Sequence, residues 1–203
     1  MVVNVRPVRP EEIDRAGLTL ARSFENDDLF TWMFGQRAMR ALHRSFKSQI
    51  SAQYMPSGIV ETVGDLSGVA MWSAPGRGVG PTPLQMLRMF PGHLHFLRPD
   101  RAVKALRGFA TMDSHHPDEP HIHLAILGVD PTNQRSGVGS LLVRSGLARA
   151  DEADVPVYLD TSVAENVPYY RRFGFDVIAE FDFPLGGPHA WGMLRRPGAG
   201  LAS

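Results

Sequence analysis

Apolar residues fall at helical spacing over Glu11–Phe24, where Ile13, Leu20 and Phe24 share one face, and again along Met39, Leu42, Phe46, Ile50 and Tyr54. Ile59–Val63 and Gly68–Trp72 read as strands, and the Gly64-Asp65 pair between them predicts a hairpin. Residues 74–83, rich in Gly and Pro, are expected to be a loop. Helical spacing returns over Leu84–Phe90 and Arg101–Met112, and Pro117 and Pro120 then bracket a break. Downstream, His121–Val129 reads as a strand, Val138–Ala153 as a helix, Val157–Asp160 as a strand, and Asn166–Phe173 as a short helix capped at its end by Gly174. Val177–Phe183 and His189–Leu194 make a closing hairpin around Pro184–Pro188. With a short first strand at Val2–Val8, the order β-α-α-β-β-(α-α)-β-α-β-α-β-β predicts one α/β domain over 1–203, of the α+β type with a mixed sheet.

Composition narrows the function. A chain of 203 residues with 43% hydrophobic content suits one domain with a sizeable core. Lys plus Arg equals Asp plus Glu at 21 each, so no general attraction to nucleic acid or anionic membrane is expected. The absence of cysteine excludes disulfides, thiolate metal sites and a Cys nucleophile. No signal peptide is read at Met1–Arg6, and no apolar run approaches the ~20 residues that span a bilayer. A soluble, cytoplasmic chain is therefore the expectation.

The chemistry concentrates at Gln134-Arg135-Ser136-Gly137-Val138-Gly139, between the strand ending at Val129 and the helix starting near Ser140. Glycines at a strand-to-helix turn expose backbone N–H groups and the positive end of the helix dipole, a seat for a pyrophosphate. The dinucleotide fingerprint fails, because its third glycine falls on Leu142. No Gly-Lys-Ser/Thr is present to make a P-loop. About thirty residues on stands Asn166-Val-Pro-Tyr-Tyr-Arg-Arg-Phe-Gly-Phe175, in which Asn166 is expected to cap a short helix that Gly174 ends.

These two segments, in this order, resemble the pyrophosphate motif and the Asn-to-Tyr-x-x-x-Gly-Phe motif of the GNAT superfamily of acetyl-CoA-dependent N-acetyltransferases. Val69–Pro75, Glu119-Pro120, Val155–Ser162, Gly187–Trp191 and Arg196–Gly198 look like the puromycin N-acetyltransferase branch. The resemblance is clear over 115–198 and patchy before Gly68.

It implies a single GNAT domain with a mostly antiparallel sheet of six to seven strands, splayed at the cofactor site and flanked by helices. Residues 74–120 become an insertion bordering the acceptor. Acetyl-CoA is the implied co-substrate, held by Gln134, Arg135, Ser136, Gly137, Val138, Gly139 and Ser140. Leu127 and Val129 pair with the pantetheine arm, the Leu127 N–H serving as oxyanion donor, and Asn166 bonds the same arm. Tyr170 becomes the general acid for the departing thiolate. The position of the usual carboxylate base carries His123, with Glu119 and His121 as alternatives. Asp113, His115, His116, Glu119, His121 and His123 also admit a metal reading. A polar loop accounts for them without one, and no metal is expected.

The implied activity is acetyl transfer to a primary amine of a small molecule, an aminonucleoside being one candidate. A protein or peptide acetyltransferase and a non-catalytic acyl-CoA-binding module are the alternatives. No nucleic acid or membrane partner is expected, and a homodimer is left open. Asp27, Asp28, Phe30 and Trp32 offer an acidic, aromatic edge for a cationic acceptor, or else a solvated loop.

Overall fold

The computed structural model describes residues 4–73 and 82–199. In chain order it has β1 (Val5–Pro7), α1 (Ile13–Ser23), α2 (Asp28–Phe34), α3 (Met39–Gln49), α4 (Met55–Ser57), β2 (Gly58–Val63), β3 (Gly68–Ser73), α5 (Pro83–Met89), α6 (Pro99–His115), β4 (Ile122–Val129), α7 (Val138–Glu152), β5 (Val157–Thr161), α8 (Asn166–Arg171), β6 (Asp176–Asp182) and β7 (His189–Arg195). A π turn over Ile50–Tyr54 joins α3 to α4, and a 3-10 stretch over Phe90–Leu97 joins α5 to α6. The expected loop at 74–83 falls, up to residue 81, outside the described residues, as do Val2 and Val3 of the expected first strand.

The seven strands form one sheet in the order β1-β2-β3-β4-β5-β7-β6. Every pairing is antiparallel except that of β4 with β5. Strand alternation sorts side chains to two faces. Ala70 and Trp72 of β3 join Leu142, Leu147, Leu159 and Phe175 in a core beneath α7 and α8. Val69 and Met71 join Leu20, Leu42 and Phe46 in a second core beneath α1 and α3. A smaller cluster of Phe181, Phe183 and Ala190 meets Trp32 and Met112 at the β6–β7 edge.

Helix α7 lies close on the sheet because Gly146 has no side chain: a Cβ there would sit 2.1 Å from Cζ2 of the buried Trp72. Two bidentate ion pairs fix the helix laterally. Arg149 donates to Glu61 of β2 at 2.6 and 2.9 Å, and Arg195 of β7 donates to Asp151 at 2.7 and 3.0 Å.

Two expectations are corrected. The segment read as an interhelical edge is α2, capped by the Asp27 carboxylate accepting from the Phe30 N–H at 3.1 Å. Phe30 turns inward against Phe24, Phe34 and Phe46. Trp32 packs on Phe183, donates to the Leu185 carbonyl at 3.3 Å and carries the Lys104 ammonium over its ring. Asn166 is the first residue of α8 and Glu165 its N-cap, so Asn166 is not the capping residue. Gly174, at φ +84°, does end the α8 turn as expected.

Candidate functional site

Strands β4 and β5 pair only through Ile122 with Val157 and His123 with Tyr158. Immediately after, β4 carries a bulge. Trp72 faces Leu124 and Met71 faces Ile126, so Ala125 is the extra residue. A bulge bends its strand, and β4 pairs with β5 no further. The gap that follows is backed by β3. Asp130 donates its N–H to the Ser67 carbonyl at 2.9 Å. Antiparallel alternation then turns the N–H and C=O groups of Val129 and Leu127 away from β3, into the gap. The Val129 N–H meets the Ser23 hydroxyl at 3.2 Å. The Leu127 N–H on this side has no partner among the described residues.

The turn after β4 is held from within. The Asp130 carboxylate accepts from the Thr132 N–H at 3.0 Å and its hydroxyl at 2.7 Å. Arg135 (φ +61°) and Gly137 (φ +88°) both adopt the left-handed conformation, which gathers successive N–H groups into a concave nest. Gly137 is the N-cap of α7. Among the described residues, no backbone N–H from Gln134 to Ser140 has a partner. A Cβ on Gly137 would meet nothing within 4 Å. Such a loop offers an anion seven consecutive N–H groups without a partner among the described residues, a helix N-terminus, and open space beside a glycine.

Helix α8 brings the second motif to this loop. The Tyr169 hydroxyl lies 3.4 Å from that of Ser140 and would be 3.2 Å from a Cβ on Gly139. Asn166 donates from its amide to the Thr161 hydroxyl at 3.1 Å, which fixes its side chain at the end of β5. The Tyr170 ring is buried, edge-on to Tyr169 and Phe175. Its hydroxyl has no partner among the described residues, yet it is not among the sealed polar atoms. Burial pushes the phenol above its ordinary value, so it stays protonated at neutral pH.

On the opposite face of the sheet stands a group the sequence only half disclosed. His123 is buried beside Tyr158 and Asp160 of β5 and His116 just past α6. Nε2 of His116 and Nε2 of His123 each lie 3.5 Å from Oδ2 of Asp160. The Tyr158 hydroxyl donates to Asp160 Oδ1 at 2.6 Å. Burial lowers the His123 imidazole below its ordinary value, so the ring is neutral near pH 7. For Asp160, burial alone raises the carboxyl, but the polar groups around it, with the Tyr158 hydroxyl hydrogen-bonded to Oδ1, outweigh it and hold the group below the usual carboxylate range. Glu119 stands apart at the surface, its carboxylate paired with Arg196 at 2.5 Å. Asp160 was not anticipated. Its alternation with Tyr158 placed the two on one face, but only the parallel pairing of β4 with β5 sets them beside His123.

The model of the acetyltransferase (GNAT) family matches residues 70–175. An uncharacterized N-acetyltransferase of Schizosaccharomyces pombe is 22% identical over 180 residues, 83% of this chain and 72% of that protein. Mycothiol acetyltransferase of a Mycobacterium species is 33% identical over 89 residues, 40% of this chain but only 29% of that protein. Among solved structures, the histone acetyltransferase HPA2 and related acetyltransferase from Corynebacterium glutamicum superposes with a TM-score of 0.72 at 22% identity, covering 97% of both chains. A mosquito arylalkylamine N-acetyltransferase-like protein superposes at 0.59 with 14% identity, covering 96% of this chain and 99% of that one.

Proposed function

The chain belongs to the acetyltransferase (GNAT) family, and from that premise we propose that it transfers the acetyl group of acetyl-CoA to a primary amine of a small molecule. The observation that carries this reading is the run of N–H groups from Gln134 to Ser140 at the mouth of the β4–β5 gap, with the Tyr170 hydroxyl on the neighbouring helix, none of them partnered among the described residues.

Acetyl-CoA supplies the activated thioester; the residues supply position and protons. The N–H groups of Gln134 through Ser140 hold the diphosphate, with Arg135 adding a charge-assisted contact. Leu127 and Val129 receive the pantetheine arm along β4, the Ser23 hydroxyl giving way at Val129, and Asn166 meets it from β5. The Leu127 N–H faces the thioester oxygen as charge builds there. Tyr170, protonated at neutral pH, donates to the departing sulfur. His123 takes the proton of the amine through Nδ1, which has no partner among the described residues, while Nε2 faces Asp160. Glu119, engaged by Arg196, is the weaker alternative base.

A small acceptor is favoured by the enclosure of this face. Helix α2 is fastened to the turn after β6 through Trp32, Phe183 and Leu185. We assign the 74–120 insertion a border of the acceptor site as well. The balanced charge offers no broad field for a basic protein tail or a nucleic acid.

The test is an amine panel with acetyl-CoA, following release of free CoA thiol. Turnover of small primary amines, with puromycin and arylalkylamines first in the panel, is the expected result. Reaction with peptides alone overturns the small-molecule reading. CoA binding without thiol release on any amine overturns catalysis.

A further inference from the structure

The cluster behind His123 carries more than a base needs. His116, His123 and Asp160 each bring one potential ligand atom within 4.8 Å of the others, and Oδ2 of Asp160 lies 3.5 Å from Nε2 of both imidazoles. These three atoms are buried and none has a hydrogen-bond partner. Their side chains are 5%, 5% and 9% exposed. Three convergent polar atoms without a protein partner among the described residues, in one buried place, make a candidate ligand set.

The surrounding hydrogen bonds say what kind. Nδ1 of His121 lies 2.8 Å from the Glu119 carbonyl, which can only accept, so the His121 proton sits on Nδ1. Its Nε2 is then an acceptor and takes the Nδ1–H of His116 at 3.3 Å. His116 is left with a bare lone pair on Nε2, facing an ionised carboxylate oxygen at 3.5 Å. Two acceptors are aimed at each other, and a cation between them resolves the conflict. His123 has no partner on Nδ1 among the described residues and can carry its proton there, turning a third lone pair inward.

We propose that His116, His123 and Asp160 bind one divalent transition-metal ion, zinc foremost. Two imidazoles and one carboxylate form a borderline donor set that suits zinc. The two 3.5 Å separations are near the edge of a tetrahedron with bonds of about 2.0–2.1 Å, which is about 3.3 Å. The outer contacts also fit: His116 is oriented through its other nitrogen by His121, and Asp160 through its other oxygen by Tyr158. The sequence offered a metal reading around His116 and His123 with Asp113, His115, Glu119 and His121, and a polar loop was preferred to it; Asp160 joins the two histidines only in three dimensions. One consequence rests on the base assigned above. A neutral His123 bound through Nε2 keeps its proton on Nδ1 and accepts no other, so the loaded enzyme is switched off.

Metal binding is tested on the full chain, freed of metal by a chelator, by zinc calorimetry and elemental analysis, with cobalt absorption as the probe of geometry. One zinc per chain is expected, with the visible bands of tetrahedral cobalt. His116→Ala should weaken zinc at least roughly a hundredfold and His121→Ala roughly tenfold to a hundredfold, both keeping acetyl-CoA affinity. Circular dichroism verifies that each variant folds; should His116→Ala fail to fold, Asp160→Asn takes its place. Failure of the wild-type chain to bind zinc, cobalt or manganese overturns the site. Binding that survives His116→Ala but falls with His189→Ala also overturns it, since His189 stands with Asp182 and Glu180 on the surface. Zinc bound as expected but without loss of acetyl transfer retains the site and refutes only the role of His123 as base.

Discussion

The hydroxyl of Tyr169 on α8 lies 3.4 Å from the hydroxyl of Ser140 in the first turn of α7. It ties the helix that carries Tyr170 to the loop that forms the anion nest. At that length the bond is weak, since good O–H···O contacts run at about 2.5–3.0 Å.

Tyr169→Phe should therefore cost less than about 1 kcal/mol. The expected outcome is a rise of a few-fold in the acetyl-CoA dissociation constant by calorimetry, with kcat nearly unchanged. A fall in kcat as large as that of the neighbouring tyrosine would exchange the roles assigned to the two phenols.

Tyr170→Phe separates binding from chemistry. The lost hydroxyl has no partner among the described residues, so neither the melting temperature nor acetyl-CoA affinity should fall. Loss of a general acid lowers kcat roughly 10²–10⁴-fold. Thiol release under saturating substrates reads this directly, and unchanged turnover removes Tyr170 from the reaction.

Two glycines test opposite things. At Gly146 an added Cβ meets the Trp72 indole at 2.1 Å, so Gly146→Ala should destabilise the fold by about 1–3 kcal/mol in urea denaturation. The molecules still folded should bind acetyl-CoA normally. At Gly137 there is space but a φ of +88°. Gly137→Val should cost about 1–2 kcal/mol of backbone strain, and it puts a branched side chain where the diphosphate is to lie. Its acetyl-CoA affinity should fall more than tenfold, well beyond its stability loss.

The fold was legible wherever a periodicity ran long or a glycine or proline punctuated it. The β4–turn–α7 unit, the hairpin of β2 and β3, and the closing hairpin of β6 and β7 all stand within a few residues of their expected places. Helix α2 was not legible. Its core is Leu-Phe-Thr-Trp-Met-Phe, apolar on nearly every side, and only the Asp27 cap marks its start. The bulge at Ala125 left no mark in the sequence, because it is defined by the partner strand. For the site, the nest and Tyr170 came from local motifs. The group of His116, His123 and Asp160 did not, because their positions converge only through the β4–β5 pairing and the end of α6.

Asp151 contributes a pH-dependent part of stability. Hydrogen bonding from the Arg195 guanidinium holds its carboxyl below the usual carboxylate value. A folded value below the unfolded one means the stabilisation is fully present above about pH 4 and fades as pH falls through the folded value. Arg195 is 4% exposed but the Asp151 carboxylate is 37% exposed, so Asp151→Asn should cost less than the roughly 3 kcal/mol of a fully buried pair. In denaturation series from pH 7 down to pH 3, the variant should lose less stability than the wild type. Parallel curves would show that the pair contributes nothing.

The central claim is that the turn from Gln134 to Ser140 seats the diphosphate of coenzyme A. Backbone amide NMR during a CoA titration tests it most directly. The largest shifts are expected at Gln134–Ser140, with Leu127 following as the arm docks along β4. Shifts confined to another cationic surface, such as the hollow of about 470 Å³ that includes Arg37, Arg40 and Arg44, or no shifts at all, would contradict the account.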